Sequence, residues 1–494
     1  MVSVGAVLVV SALLASVGLW SADGAVRSGH VDVSSAHHLA FDVPADGRPT
    51  DKLVFAHYFP PYPISIDNKP SSTDYYASEY LSPRGEESAY ASVGGFLRDR
   101  PQPRSVSTDP EWKVRDLENE VRQAIDGGID GFTVDILTKS SNPLWSSSVP
   151  GDLLAAAAAV DPRFKIMLMP DMNSELGALD PEELADELSQ YTAAPAVFHL
   201  QDARLVVSPF LAERHDPAWW SSFMDVMKNR YGIDVAFVPM FLDSTPNMET
   251  FAPISYGMST WGGRNAAFNP VTDTGVGSPM GQVNRAHQLG KVWMQSVSFQ
   301  DARPSQSVFD EADNTENLRN MWQIARDSNS EWVQLITWND YSEGTSFAPS
   351  VGHGQALLDL NAYYVDWFKA GVAPNVTRDA AYLTYRGQLS TAQPSDPSAS
   401  PMVLRAGSAP VSDTVEVLTY LVASAAVEVT TGGITTTCQV GAGVDVCTVP
   451  AGVGSVSAHV VRDGVQVAVV QGHSEITSTP AVQNMEYLMD SSSR

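Results

Sequence analysis

Cysteine is nearly absent: Cys438 and Cys447 are the only two in 494 residues. So small a supply excludes a disulfide-built scaffold and a cysteine-ligated metal centre, and no histidine stands near the pair at ligand spacing. Eight residues separate the two cysteines inside a β-type stretch, so in an exported chain they are expected to pair and close a hairpin. Positive charge is also scarce. There are 30 Lys and Arg against 57 Asp and Glu, for a formal net charge of -27. So acidic a chain repels a phosphate backbone, which excludes nucleic acid as a partner but leaves a neutral polysaccharide acceptable. No glycine-rich phosphate loop follows any strand-like run, so a doubly wound open sheet, the runner-up architecture, lacks its main signature. Nothing calls for a cofactor or a catalytic metal.

Long apolar runs are missing except at residues 2–20, followed by the small residues Ser21, Ala22, Gly24 and Ala25. Residues 1–25 therefore read as a signal peptide, or as an N-terminal anchor because no Lys or Arg precedes the run. The expectation is a secreted or cell-surface protein with no membrane contact unless that segment is retained.

Hydrophobic residues make up 44% and charged residues 18%. That suffices for a large core in two or three domains. Residues 26–51 read as a linker. From residue 52 a rhythm begins, in which short apolar runs alternate with amphipathic helical stretches. Eight strand candidates fall at 53–58, 131–136, 165–169, 204–208, 235–240, 254–261, 292–297 and 332–338. Leu117, Val121 and Ile125 recur at helical spacing, Asp180-Pro181 opens another helix, Pro217 a third, and residues 316–326 a fourth. The pattern predicts an α/β protein, a (β/α)8 TIM barrel over residues 52–393, with an unusually long first loop at 59–109. Residues 394–402 read as a Pro/Ser-rich linker, 403–476 as a small sandwich-like all-β module, and 477–494 as a flexible tail.

On such a barrel the reactive groups sit at the C-terminal ends of the strands. Those ends carry His57, Tyr58, Asp135, Asp171, Trp261, Gln295, Trp338, Asp340, Tyr341 and Glu343. Carboxylates interleaved with aromatics fit sugar chemistry: aromatic faces pack on pyranose C–H faces, and carboxylates bind hydroxyls and supply acid and base. Asp340 and Glu343, three apart after the eighth strand, are the candidate catalytic pair. His57, Tyr58, Asp135, Asp171, Trp261, Gln295, Trp338 and Tyr341 are the candidate substrate contacts. Each has a plainer reading. His57 serves equally as a core histidine, Asp171 as a helix cap, Tyr58 and Trp261 as rim packing, and Trp338 as core filling. Asp130 reads as a structural residue at the N-terminal end of the barrel.

The run Trp338-Asn339-Asp340-Tyr341-Ser342-Glu343 resembles the signature of glycoside hydrolase family 71, the α-1,3-glucanases or mutanases. The stretches Val54-Phe55-Ala56-His57 and Gly128-Ile129-Asp130-Gly131-Phe132 are similar to that family's first two strands. The resemblance spans residues 52–371. It implies endo-hydrolysis of α-1,3-glucan with inversion, and Asp340 and Glu343 as the pair, about 6.5–9.5 Å apart in such a scheme. Which of the two is acid and which base stays open, with Glu343 as acid the favoured reading. A monomer is expected. Two other readings stay open: a hydrolase of another α-glycan such as α-mannan, and a cell-surface protein that binds carbohydrate without turnover.

Overall fold

The computed structural model describes residues 39–43, 51–396 and 399–493. The expected leader and most of the expected first linker lie outside the described residues. Among the described residues, no helix is long and apolar enough to cross a membrane.

Among the described residues, eleven strands precede residue 340: β1 (Leu53–Tyr58), β2 (Gly131–Ile136), β3 (Lys165–Pro170), β4 (Leu205–Val207), β5 (Val235–Phe237), β6 (Met240–Phe241), β7 (Gly257–Thr260), β8 (Val292–Val297), β9 (Ala302–Arg303), β10 (Val308–Phe309) and β11 (Trp332–Leu335). Nine of them form one parallel sheet in the order β5-β4-β3-β2-β1-β11-β8-β7-β6. Its two edge strands are separated in the chain only by Val238 and Pro239. Pro239 cannot donate and interrupts the ladder there. The stretch 235–241 nevertheless bonds on both sides: Val238 N donates to Val207 O (2.9 Å), and Ser259 N donates to Pro239 O (3.0 Å). The sheet is therefore strongly curled. Its concave face holds Phe55, Met167, Val206, Ala236, Val238, Met294 and Trp332 in one cluster, contributed by strands far apart in sheet order.

The convex face carries the alternate residues, among them Val54, Ala56, Tyr58, Phe132 and Val134, packed in one core with the helices. These helices are α1 (Trp112–Asp126), α2 (Val149–Val160), α3 (Pro181–Ser189), α4 (Pro217–Tyr231), α5 (Met248–Phe251), α6 (Pro279–Gln288), α7 (Glu316–Asp327) and α8 (Ala356–Ala370). Helix α3 starts as its sequence predicts, with Asp180 and Glu183 in a reciprocal capping box and Pro181 in the first turn. Asp130 sits where a structural role was expected: it accepts from Val54 N (2.8 Å) and pairs with Lys369.

The remaining strands are β12 (Ala380–Arg386), β13 (Val403–Leu404), β14 (Thr414–Leu421), β15 (Ala425–Thr431), β16 (Ile434–Val440), β17 (Gly443–Pro450), β18 (Val456–Arg462), β19 (Val465–Gln471) and β20 (Tyr487–Ser491). Two antiparallel sheets, β17-β14-β12-β20 and β16-β15-β18-β19, enclose an apolar core. Four expectations need correction. The module begins earlier than residue 403, because β12 pairs with β14. The supposed tail supplies β20, paired with β12, and Met485, Tyr487 and Met489 are buried. Cys438 and Cys447 do pair, but they lie on β16 and β17, which belong to different sheets, so the bond staples the two layers rather than closing a hairpin. Part of the first linker is packed: Phe41 is buried against Tyr363 (5.2 Å between rings) and Tyr420.

A third, three-stranded sheet, β13-β10-β9, ties the start of the module to the loop after β8. It rests on Ala302, Phe309, Met402 and Met485.

Candidate active site

The C-terminal ends of the sheet strands carry two acidic clusters. The first is built on β1, β2 and β3. The alternation that buries Phe55 on the concave face also places His57 there, and the same holds for Asp135 and Met169. His57 Nδ1 lies 3.2 Å from Met169 Sδ, and its Nε2 lies 3.6 Å from Asp135 Oδ2. Burial pushes the imidazole down to about 4, so it is neutral at pH 7. Burial likewise raises Asp135, whose Oδ1 has no hydrogen-bond partner among the described residues. Asp171 is pushed up to about 7, first by burial and then by the charge of Asp135. Trp261 closes this side, edge to face with His57 (5.0 Å) and with Phe210 (4.9 Å).

The second cluster is on the loop after β11, and its local folding explains every residue of the run 338–343. Trp338 is fully buried on the convex side against Phe132 (5.1 Å). Asn339 pins the start of the long first loop: its Oδ1 accepts from Phe59 N (2.7 Å), and its Nδ2 donates to Phe59 O and Tyr62 O (3.0 and 2.9 Å). Tyr341 is fully buried beneath that loop with Tyr62, Tyr76 and Leu97. Asp340 Oδ1 accepts from Ser342 N (2.9 Å), Ser342 Oγ (2.6 Å) and Glu343 N (3.2 Å). This turn fixes Asp340 and launches Glu343. Burial raises Asp340, opposed by the Ser342 hydrogen bond and the Arg303 charge.

Glu343 keeps 21% of its side chain exposed and meets Arg303 in a two-pronged pair, Oε1–Nη1 at 2.8 Å and Oε2–Nη2 at 2.9 Å. Burial and the neighbouring Asp340 charge drive it up to about 7, against the pull of Arg303 and Arg264. Arg303 is shared with Asp301 (Nη2–Oδ2, 2.7 Å), which is 1% exposed. Arg264 lies 3.8 Å from Asp301 and 5.1 Å over the Trp261 ring. Among the described residues, its Nε and Nη2 have no hydrogen-bond partner.

The structure thus brings together His57, Asp135, Asp171, Trp261, Asp340 and Glu343. The other expected contacts are elsewhere. Tyr58 faces the convex side beside Glu120, fully buried on Phe132. Gln295 is also on the convex side, accepting from Trp293 Nε1 (2.9 Å). Trp338 and Tyr341 are core residues, packed behind the sheet and beneath the first loop. Each was assigned from its place at a strand end, but the alternation of side chains decides which face a residue occupies. The arginines were missed. Arg303 and Asp301 follow β8 within a few residues, so the rule that named His57 reaches them. Arg405, which bonds Asp310 (2.9 Å) and Asp301 (3.3 Å), comes from beyond the sheet altogether.

The arrangement offers a carboxyl poised near neutrality, a second carboxyl fixed by three donors, and unpaired polar groups between aromatic walls. The glycosyl hydrolase family 71 model matches residues 105–493. A glucan endo-1,3-alpha-glucosidase of Schizosaccharomyces pombe is 25% identical over 363 residues, covering 69% of this chain and 81% of that protein. A mutanase of Penicillium rubens is 24% identical over 396 residues, covering 74% and 82%. Among solved structures, a GH99 endo-alpha-mannosidase from Bacteroides thetaiotaomicron aligns with a TM-score of 0.47 at 17% identity, over 64% of this chain and 97% of that one.

Proposed function

This chain belongs to glycosyl hydrolase family 71, and we propose that it is an exported, endo-acting enzyme that hydrolyses α-1,3-glucan with inversion. The relatives at 25% and 24% identity, named for α-1,3-glucan and mutan hydrolysis, support the substrate. The curled parallel sheet is read as a (β/α)8 barrel whose fifth strand is broken at Pro239 into β5 and β6. The single observation that carries the chemistry is the unequal setting of two carboxyls on one tight turn.

Glu343 sits at about 7 and holds a proton near neutral pH. It gives that proton to the glycosidic oxygen as the C1–O bond breaks. Asp340 spends Oδ1 on Ser342 and Glu343 N–H donors, leaving Oδ2 with capacity to accept a proton from water. That water attacks C1 from the opposite face, and the product carries the inverted anomeric hydroxyl. Asp135 Oδ1 and the free N–H groups of Arg264 are the acceptor and donors available to sugar hydroxyls, and Trp261 offers an aromatic wall. A net charge of -27 does not repel a neutral glucan.

The test is reducing-sugar release from insoluble α-1,3-glucan by wild type, Glu343→Gln and Asp340→Asn, with the anomer of the first product read by proton NMR. Release by wild type alone, with the β-anomer appearing first, is expected. Release by either variant at the wild-type rate removes that residue from the chemistry. An α-anomer first replaces inversion with retention.

A further inference from the structure

Glu343 is not held by its own loop alone. Its backbone carbonyl accepts from Ala302 N (2.8 Å) on β9, and its carboxylate faces Arg303 on the same strand. Strand β9 is bound to β10, and β10 to β13, with Val308 paired to both Arg303 and Val403. Arg405 follows β13 directly, its N–H donating to Phe309 O (2.8 Å). This register sets the Arg405 and Arg303 side chains on the same carboxylate. Asp301 Oδ1 takes Arg405 Nη2 (3.3 Å) and Arg303 Nε (2.9 Å), and Asp301 Oδ2 takes Arg303 Nη2 (2.7 Å). Arg405 also spans to Asp310 (2.9 Å), itself 6% exposed.

An exposed ion pair ordinarily contributes little. Arg405, however, is 37% exposed at its own end and reaches two carboxylates that are 1% and 6% exposed, where a charge pair is screened far less than at the surface. A second contact points the same way. Gly344, next to Glu343, has φ +63, and a Cβ there would meet Ala302 O at 3.0 Å and Glu486 Oε1 at 3.1 Å. Glu486 immediately precedes β20. The β-module therefore reaches the turn that carries Glu343 at Glu486 and, through Asp301 and Arg303, from Arg405.

We propose that the β-module is a working part of the active site, and that Arg405 is a positioning residue that holds Asp301 and, through Asp301 and Arg303, the carboxyl of Glu343. The inference rests on the reading of Glu343 as the acid. The groups facing Glu343 are Arg303 and Asp301 from the β9 segment, Arg264 from the loop after β7, Asp340 on its own turn, and the neutral His57 of β1. Removing the Arg405 charge leaves this set more negative, which favours the protonated Glu343. The basic limb of the pH profile then moves to higher pH, while poor alignment lowers the rate.

The experiment uses the full chain with Arg405→Gln and Arg405→Lys. Rates are measured across pH on α-1,3-glucan and on an α-1,3-glucobiosyl fluoride, whose leaving group departs without protonation. For Arg405→Gln the expected result is a loss of about 10- to 100-fold in kcat on glucan, a much smaller loss on the fluoride, and a basic limb shifted upward. Arg405→Lys, which keeps the charge but cannot span both Asp301 and Asp310, shows a smaller loss of the same kind. It also decides the matter if Arg405→Gln does not fold. Equal losses on both substrates with an unshifted profile mean that Arg405 is merely structural, and no loss in a folded variant overturns the proposal outright. If wild type cleaves no α-1,3-glucan, the substrate reading fails on its own. Crystal structures of wild type and variant still decide this inference, and an unmoved Glu343 carboxylate rejects it.

Discussion

Two acidic clusters share one mouth and differ in the cations that they meet. On the side of β1 to β3, Asp135 and Asp171 face a neutral His57, with the guanidinium of Arg214 a minor influence on Asp171. Burial wins there, and both carboxyls are driven toward the acid form. On the side of β9 and β11, Asp301 is met by three guanidiniums, those of Arg264, Arg303 and Arg405. The cation-rich side can orient a group that cycles its proton, whereas the cation-poor side offers neutral groups suited to sugar hydroxyls. Burial does not separate the two sides, since Asp135 and Asp301 are 3% and 1% exposed; the supply of guanidinium groups does.

The sharpest break of this contrast is Glu343→Gln. It should lower kcat on α-1,3-glucan by about 100- to 10,000-fold with melting temperature nearly unchanged, because a positioned acid is worth that much. Arg303→Met comes next, expected to cost roughly 10- to 100-fold, since a displaced carboxyl loses alignment. It should also move the optimum to higher pH, because the cation that favours ionised Glu343 is gone; a pH–rate profile reads both effects.

The cation-poor side should answer in stability instead. Asp171 titrates at about 7 in the folded chain, above its ordinary value of about 3.9. The folded state therefore binds the extra proton, and stability present below about pH 4 is lost as pH rises through 7. Asp171→Asn should match wild type near pH 4 and exceed it by about 1–3 kcal/mol at pH 8, measured by denaturant unfolding at each pH. Equal stability at pH 8 would show that Asp171 is charged at no cost, and the two sides would then be alike. The smallest effect belongs to a control outside both clusters. Tyr58→Phe should change stability by less than about 1 kcal/mol, because its buried hydroxyl has no hydrogen-bond partner among the described residues, and leave KM unchanged, because Tyr58 points away from the mouth.

Much of this arrangement was legible in the sequence. The eight apolar runs reappear as the parallel strands, with the run 235–240 broken at Pro239, where a missing N–H makes the break understandable. Asp340 and Glu343 could be placed at the mouth from sequence because they follow soon after a strand end. Tyr58, Gln295 and Trp338 were misplaced because a strand end names a height and not a face. His57 and Tyr58 are neighbours in sequence and lie on opposite sides of the sheet. Arg405 and Glu486 could not be read at all, since their partners are about a hundred or more positions away and β13 is only two residues long. The supposed tail was misjudged for a similar reason: polar residues 477–484 hid the short apolar alternation of β20 behind them.

The pairing of β20 with β12 orders events in time. Tyr382 lies opposite Ser491, so β12 waits through more than a hundred further residues for its second neighbour. Contacts that distant close late in folding. A ribosome making this chain completes the parallel sheet, and with it both acidic clusters, long before it supplies Arg405, Glu486 and β20. Hydrolytic competence thus lags behind the synthesis of the parallel sheet, and a cut between residues 477 and 486 would separate β20 from the chain that leads to it.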